Sequence, residues 1–301
     1  MSVTKELSEY RTFTLPAELE KAVNTLKGIL EGVRYDGVID QKETTEILNW
    51  CSLHKHLENK HPFNEIFQII YGAYEDSIFT QDEIEDILWV CDRITLKTDY
   101  YDFITANIQQ LHGILHGILA NNCLVDEEIK SLSEWLSDND FLAGTYPFDE
   151  INSLVTSVLK DGKITEDERN MLKAFFSYFI DTKESYNLND NELNELRNRY
   201  NIKGICAVCP NIIINNKTFC FTGASKRASR NEIADFITQK GGIYNNNVTQ
   251  STDYLIVGNE GNPCWAYSCY GRKVEQAVKL RQKGFPIIIV NELDFWDSIS
   301  D

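Results

Sequence analysis

Apolar positions along this 301-residue chain follow two different rhythms. Through the first two thirds they return every three or four residues, as at Leu26, Leu30 and Val33, or at Leu154, Val158 and Leu159. That spacing lines one face of a helix. From Lys217 onward the rhythm changes to short blocks of consecutive bulky residues. The first is Lys217-Thr218-Phe219-Cys220-Phe221-Thr222-Gly223, the second Tyr254-Leu255-Ile256-Val257-Gly258, the third 287–290. Blocks of this length, closed by glycine or polar residues, predict short buried strands. Polar, helix-like stretches lie between them at 229–239 and 271–283. An acidic-aromatic segment, Asn291-Glu292-Leu293-Asp294-Phe295-Trp296, closes the chain.

The helical part contains a repeat. Related segments begin at Asp36, Asp76, Asn122 and Asp161, which are 40, 46 and 39 residues apart. Each follows one apolar helical pattern and precedes another, such as Ile84, Ile87, Leu88 and Cys91. The unit is therefore helix, tight loop, helix, four times over. Gly37 and Gly162 suit a left-handed turn at a helix end. Ile39, Phe79, Val125 and Ile164 can staple each loop to the core. Asp40, Thr80, Asp126 and Thr165 fall at the N-caps of the following helices. Glu43, Glu83 and Glu168 lie three residues further on and complete capping boxes. The third copy has Ile129 at that place and is expected to lose that half of its cap. A further helix is predicted over 189–200, capped by Asn189 with Glu192. These loops are about half as long as a calcium-binding EF-hand loop, and their acids are accounted for as caps. No metal site is assigned to them.

Charge separates the two parts. Residues 1–210 carry 19 Lys and Arg against 37 Asp and Glu, and residues 211–301 carry 10 against 9. The acidic part would repel a polyanion, so contact with DNA is expected from the C-terminal part alone. The eight cysteines, at 51, 91, 123, 206, 209, 220, 264 and 269, are scattered. They read as reduced thiols of a cytoplasmic protein rather than a disulfide framework. No apolar run reaches the length of a bilayer helix, and the N-terminus has no secretory pattern, so no membrane association is expected.

Thr-Gly at 222–223, Gly-Gly at 241–242, Thr-Asp-Tyr-Leu-Ile-Val-Gly at 252–258, Arg-Lys-Val-Glu-Gln-Ala at 272–277 and the closing acidic-aromatic helix follow one order at one spacing. This order resembles a BRCT domain, of the kind with a Trp-containing insertion seen in bacterial DNA-repair and replication proteins. The resemblance implies a small parallel sheet flanked by helices. The fold class is then α plus α/β: an acidic all-helical repeat domain over 1–201, a linker over 202–216, and a BRCT domain over 217–301. The Asp-Gly-x-Ile-(Asp/Thr)-x-x-Glu loops in turn resemble those of TerB-like (tellurite-resistance) helical domains. Some of those are associated with metal, which leaves a metal- or stress-responsive role as a third reading.

In phosphate-binding BRCT domains a Ser or Thr hydroxyl and the next Gly amide stand where the first strand meets the first helix, and a Lys early in the second helix completes the pocket. By that resemblance Thr222, Gly223 and Lys273 are phosphate-binding candidates. Arg230 matches the first-helix Arg that helps hold a 5′-phosphate in DNA-end-binding members. A hydroxyl, an amide and two cations suit an oxyanion. The alternative is that Thr222 caps the first helix and the two cations are solvated. Trp265, Tyr267 and Tyr270 could stack on a base, but aromatics in a long loop more often give the loop its own core. Cys206-Ala207-Val208-Cys209 lacks a matching second pair for zinc. His112 and His116, four apart, lack the acid of a His-Glu-x-x-His site, and Gly113 and Gly117 beside them suggest close helix packing. No catalytic motif, cofactor fingerprint or active site is found. The expected partners are a DNA end or a phosphorylated protein for the BRCT part and a protein for the acidic part. The alternative is a BRCT module that self-associates into a homodimer.

Overall fold

A computed structural model describes residues 3–95, 101, 103–143, 145–180, 185–200, 212–258 and 272–299. The expected class, α plus α/β, is what the chain adopts. Nine α-helices are described first: α1 (Val3–Val33), α2 (Gln41–Leu53), α3 (Phe63–Ala73), α4 (Gln81–Thr95), α5 (Phe103–Leu119), α6 (Asp126–Asp138), α7 (Phe148–Leu159), α8 (Glu166–Phe176) and α9 (Asp190–Arg199). There follow β1 (Thr218–Thr222), α10 (Arg230–Gln239), β2 (Ile243–Tyr244), β3 (Tyr254–Val257), α11 (Arg272–Gln282), β4 (Ile288–Asn291) and α12 (Glu292–Ser298). By contact the chain divides into two compact units, Met1–Asn139 with Gly162–Asn198, and Asp140–Asp161 with Arg199–Asp301. Among the described residues no helix is long and apolar enough to cross a membrane.

The four repeat loops share one geometry. Each turns through a residue of positive φ: Gly37 (79°), Ser77 (77°), Asn122 (64°) and Gly162 (74°). Three residues later a backbone N–H is taken by a glutamate carboxylate from the first turn of the next helix. Asp40, Thr80, Val125 and Thr165 each donate to Glu43, Glu83, Glu128 and Glu168 at 2.8 Å. The third loop corrects the sequence reading. Its cap is Val125, not Asp126, and Glu128 fills the place assigned to Ile129. Asn122 stands where Gly37 stands in the first loop, so the copy is offset by one residue. Valine offers no side-chain acceptor, which hid the cap; only the returning glutamate survives.

The repeat resolves into a duplication of 85 residues. Leu26-Lys27-Gly28-Ile29-Leu30 returns as Leu111-His112-Gly113-Ile114-Leu115, Trp50 as Trp135, and Pro62-Phe63 as Pro147-Phe148. In the first unit the equivalent residues of α1 and α5 meet one another. Asn24 Nδ2 donates to Gln109 Oε1 at 2.8 Å in a buried bond. Gly28 faces Gly113, and Gly32 faces Gly117. A Cβ at Gly28 would lie 2.0 Å from Gln110 O, and one at Gly113 would lie 2.2 Å from Thr25 O. The two helices cross with backbone against backbone, as small residues spaced by four allow. The close packing expected from Gly113 and Gly117 is therefore present. Around the crossing, Leu26, Ile29, Leu30 and Val33 join Ile47, Trp50, Phe63, Phe67, Ile84 and Ile87 in one core.

In the second unit the four strands are parallel, in the order β2-β1-β3-β4. Alternation along a strand divides the side chains between two faces. Phe219, Phe221, Tyr254 and Ile256 join Ile233 and Ile237 of α10 and Phe295 and Trp296 of α12 in one core. Ile212 and Ile214, ahead of β1, pack in the same core. Helix α11 packs against β3, with Val274, Ala277 and Leu280 buried. The two-residue β2 went unpredicted, because it is too short for a pattern and Ile243 is exposed.

Candidate phosphate-binding site

The candidate site lies where β1 ends. Lys217 Nζ and Thr218 N both donate to the Asp253 carboxylate, at 2.7 and 2.8 Å, which ties the start of β1 to the approach to β3. Four residues on, Thr222 closes the strand and Gly258 N donates to its carbonyl at 2.8 Å. Gly223 then takes φ +86°, a conformation that disfavours any side chain. A Cβ at Gly258 would lie 2.4 Å from Ala224 O, so the chain leaves β1 pressed onto the end of β3.

Lys273, the second residue of α11, is half-buried and donates from Nζ to the Phe221 carbonyl at 2.8 Å. This places the lysine beside the Thr222-Gly223 corner. Arg230 is the first residue of α10 and is exposed. Both cations act on the Cys220 thiol: burial pushes it up, while the charge of Lys273 and then that of Arg230 pull it back. Thr222 is only 3% exposed. Thr222 does not cap α10, as the alternative held. Ser229 does, accepting from Glu232 N at 3.3 Å while Glu232 Oε2 accepts from Ser229 N at 2.7 Å.

Sequence reasoning missed the group that holds the intervening loop. The Ser225 hydroxyl donates to Glu292 Oε1 and accepts from Arg227 N (3.0 Å) and Ala228 N (3.2 Å). Trp296 Nε1 donates to the same Glu292 oxygen at 3.1 Å, and the Arg227 guanidinium lies 4.7 Å from the Trp296 ring centroid. A serine bonding amides two and three residues ahead is a turn signal that the sequence carries. The burial of Glu292, 2% exposed, is not legible there.

The remaining candidates take other roles. His116 Nε2 bonds Glu46 Oε1 at 2.8 Å, and Glu46 also accepts from Asn49, Ser185 and Asn187. Burial alone would push the Glu46 carboxyl up, but His116, Asn49 and Ser185 hold it below its ordinary value. His112 instead stacks on Phe179, and burial drives its pKa down to about 3. The two histidines do not converge. Glu192 does not cap α9; it pairs with Lys173 at 3.0 Å and with Asn122 Nδ2 at 3.2 Å, while Asn189 Oδ1 accepts from Asn191 N at 2.9 Å. That pair lines a cleft of about 600 Å³ between the third loop and α8, where Arg169 is paired with Asp126. Cys51, Cys91 and Cys220 are buried free thiols and Cys123 an exposed one. Among the described residues no three His, Cys, Asp or Glu side chains gather to hold a metal ion. The Cys206–Cys209 pair, Cys264, Trp265, Tyr267, Cys269 and Tyr270 lie outside the described residues.

Residues 209–299 match the family model of the BRCA1 C Terminus (BRCT) domain. The chain is 38% identical over 87 residues to a DNA ligase of Fervidobacterium nodosum, covering 29% of this chain and 11% of the ligase. It is 33% identical over 82 residues to a DNA ligase of Petrotoga mobilis, covering 27% and 10%. With a DNA ligase of Mycoplasma capricolum it shares 33% over 107 residues, covering 36% and 14%. The chain thus spans only about a tenth of the length of the first two ligases. No solved structure matches it. The parallel sheet, the Thr-Gly corner and the family match agree, and the C-terminal part of this chain is a BRCT domain.

Proposed function

We propose that this chain is a non-enzymatic, cytoplasmic adaptor. Its BRCT domain takes a phosphate on a DNA end or nick through Thr222, Gly223, Arg230 and Lys273, while the acidic helical part engages a protein. The observation that carries this reading is the 2.8 Å bond from Lys273 Nζ to the Phe221 carbonyl, which brings a cation to the Thr222-Gly223 corner. Cation, amide and hydroxyl together supply directed donors and opposite charge. The similarity to ligases in this part of the chain supports a DNA-repair setting.

The test compares 5′-phosphorylated with unphosphorylated duplex ends. Lys273→Ala should weaken binding to the phosphorylated end by about 1–3 kcal/mol, the scale of a lost charged hydrogen bond. Binding to the unphosphorylated end should hardly change. Equal losses on both ends would remove Lys273 from phosphate reading.

A second reading is favoured by one observation, the burial of Thr222. In it the domain is a protein-interaction module that self-associates, and the strand end serves packing alone. Wild-type chain that binds neither duplex but sediments as a dimer would support it.

A further inference from the structure

The geometry points to Ser225, through the buried Glu292, as the residue that positions the β1–α10 loop for phosphate discrimination. This rests on the phosphate reading above. The loop between Thr222 and Arg230 is the part of the candidate site that no regular element carries. Its entry is fixed where Ala224 O presses on Gly258, and its exit where Ser229 caps α10. Between those points Ser225 anchors the loop by its side chain. Its hydroxyl is used in both senses, donating to Glu292 Oε1 and accepting from the amides of Arg227 and Ala228.

Glu292 is the first residue of α12, directly after β4, and is 2% exposed. It is held in turn by Trp296, whose indole N–H donates to the same oxygen. A buried acceptor on a packed helix is a rigid reference, because moving away from its donors leaves a buried polar group unpaired. The loop therefore takes its place from the domain core and not from solvent. Arg227 is set over the Trp296 ring, and Arg230 follows at the head of α10. Recognition of an oxyanion depends on donors held at fixed positions, so a loop that drifts loses discrimination before it loses general charge attraction.

The experiment uses the full chain and two duplexes that differ only in a 5′-phosphate. The quantity read is the ratio of the two dissociation constants. Wild type should prefer the phosphorylated end. Ser225→Ala should lower that preference about tenfold, the scale of one lost hydrogen bond. Ser225→Thr keeps the hydroxyl and should restore the preference to within about twofold of wild type, which a merely structural effect of the site would not predict. An Ala variant that keeps the wild-type ratio overturns the inference, as does one that loses affinity for both ends equally. Wild type without any preference overturns the phosphate reading, and the inference with it. If Ser225→Ala does not fold, hydrogen exchange in the unmodified chain decides. The amides of Arg227 and Ala228 should exchange more slowly with the phosphorylated duplex than with the unphosphorylated one, and unchanged exchange overturns the inference.

Discussion

Glu128 is 1% exposed, and its Oε2 accepts from Val125 N at 2.8 Å. Burial pushes its pKa from 4.5 to about 8, opposed by that bond and reinforced by the charges of Asp36, Glu43 and Asp40. Glu43, its partner by duplication, is likewise pushed up to about 8, chiefly by burial. For a carboxyl raised in the folded state, the native protein binds more protons than the unfolded chain between the two pKa values. The stabilisation is thus complete below about 4.5 and is lost as pH rises through about 8. Thermal unfolding should show the helical part losing stability from about pH 5 to pH 9, and Glu128→Gln should flatten that slope. A melting temperature that climbs with pH over this window would contradict the two buried acids. Glu43 was legible as a cap because an aspartate stood three residues before it. Glu128 was not, because the residue at its cap is a valine. Nothing in the sequence marks either acid as buried.

At the scale of elements, periodicity located most of the fold. Three of the four strands and the helices around them stand where the blocks of bulky residues and the amphipathic stretches put them. The four helix-loop-helix units are present as well. What escaped was short or depended on tertiary contact: β2, with two residues and no pattern, and the role of Glu192, which turns to Lys173 of α8. The α1–α5 crossing gives a prediction in which local and tertiary preferences oppose each other. Alanine is a better helix former than glycine by about 1 kcal/mol. At Gly28, however, the added carbon would meet Gln110 O at 2.0 Å. Gly28→Ala should therefore destabilise the chain, by roughly 1–3 kcal/mol or more as overpacking against backbone costs. Denaturant unfolding measures it, and a stabilised variant would show that the helices are not in contact there.

On the scale of the whole molecule, charge and fold divide in the same region of sequence. The net charge falls almost entirely before residue 211, and the BRCT match begins at 209. The boundary expected near residue 201 is a proposal that a fragment can test. A chain of residues 205–301 should unfold in one cooperative transition, since Ile212, Ile214 and the strands form a core of their own. If cooperative unfolding appears only when residues 140–161 are included, the second unit begins earlier than the sequence suggests. The duplication in the helical part was half visible, as four similar loops. Its true period was hidden by the one-residue offset of the third loop. Its consequence reaches past packing. Wherever Asn24 meets Gln109 and Gly28 meets Gly113, the chain is in contact with its own copy. A change made to one copy is therefore met by an unchanged counterpart. The seam works as a mirror would: each half sets the mould for the other, and neither can be enlarged alone.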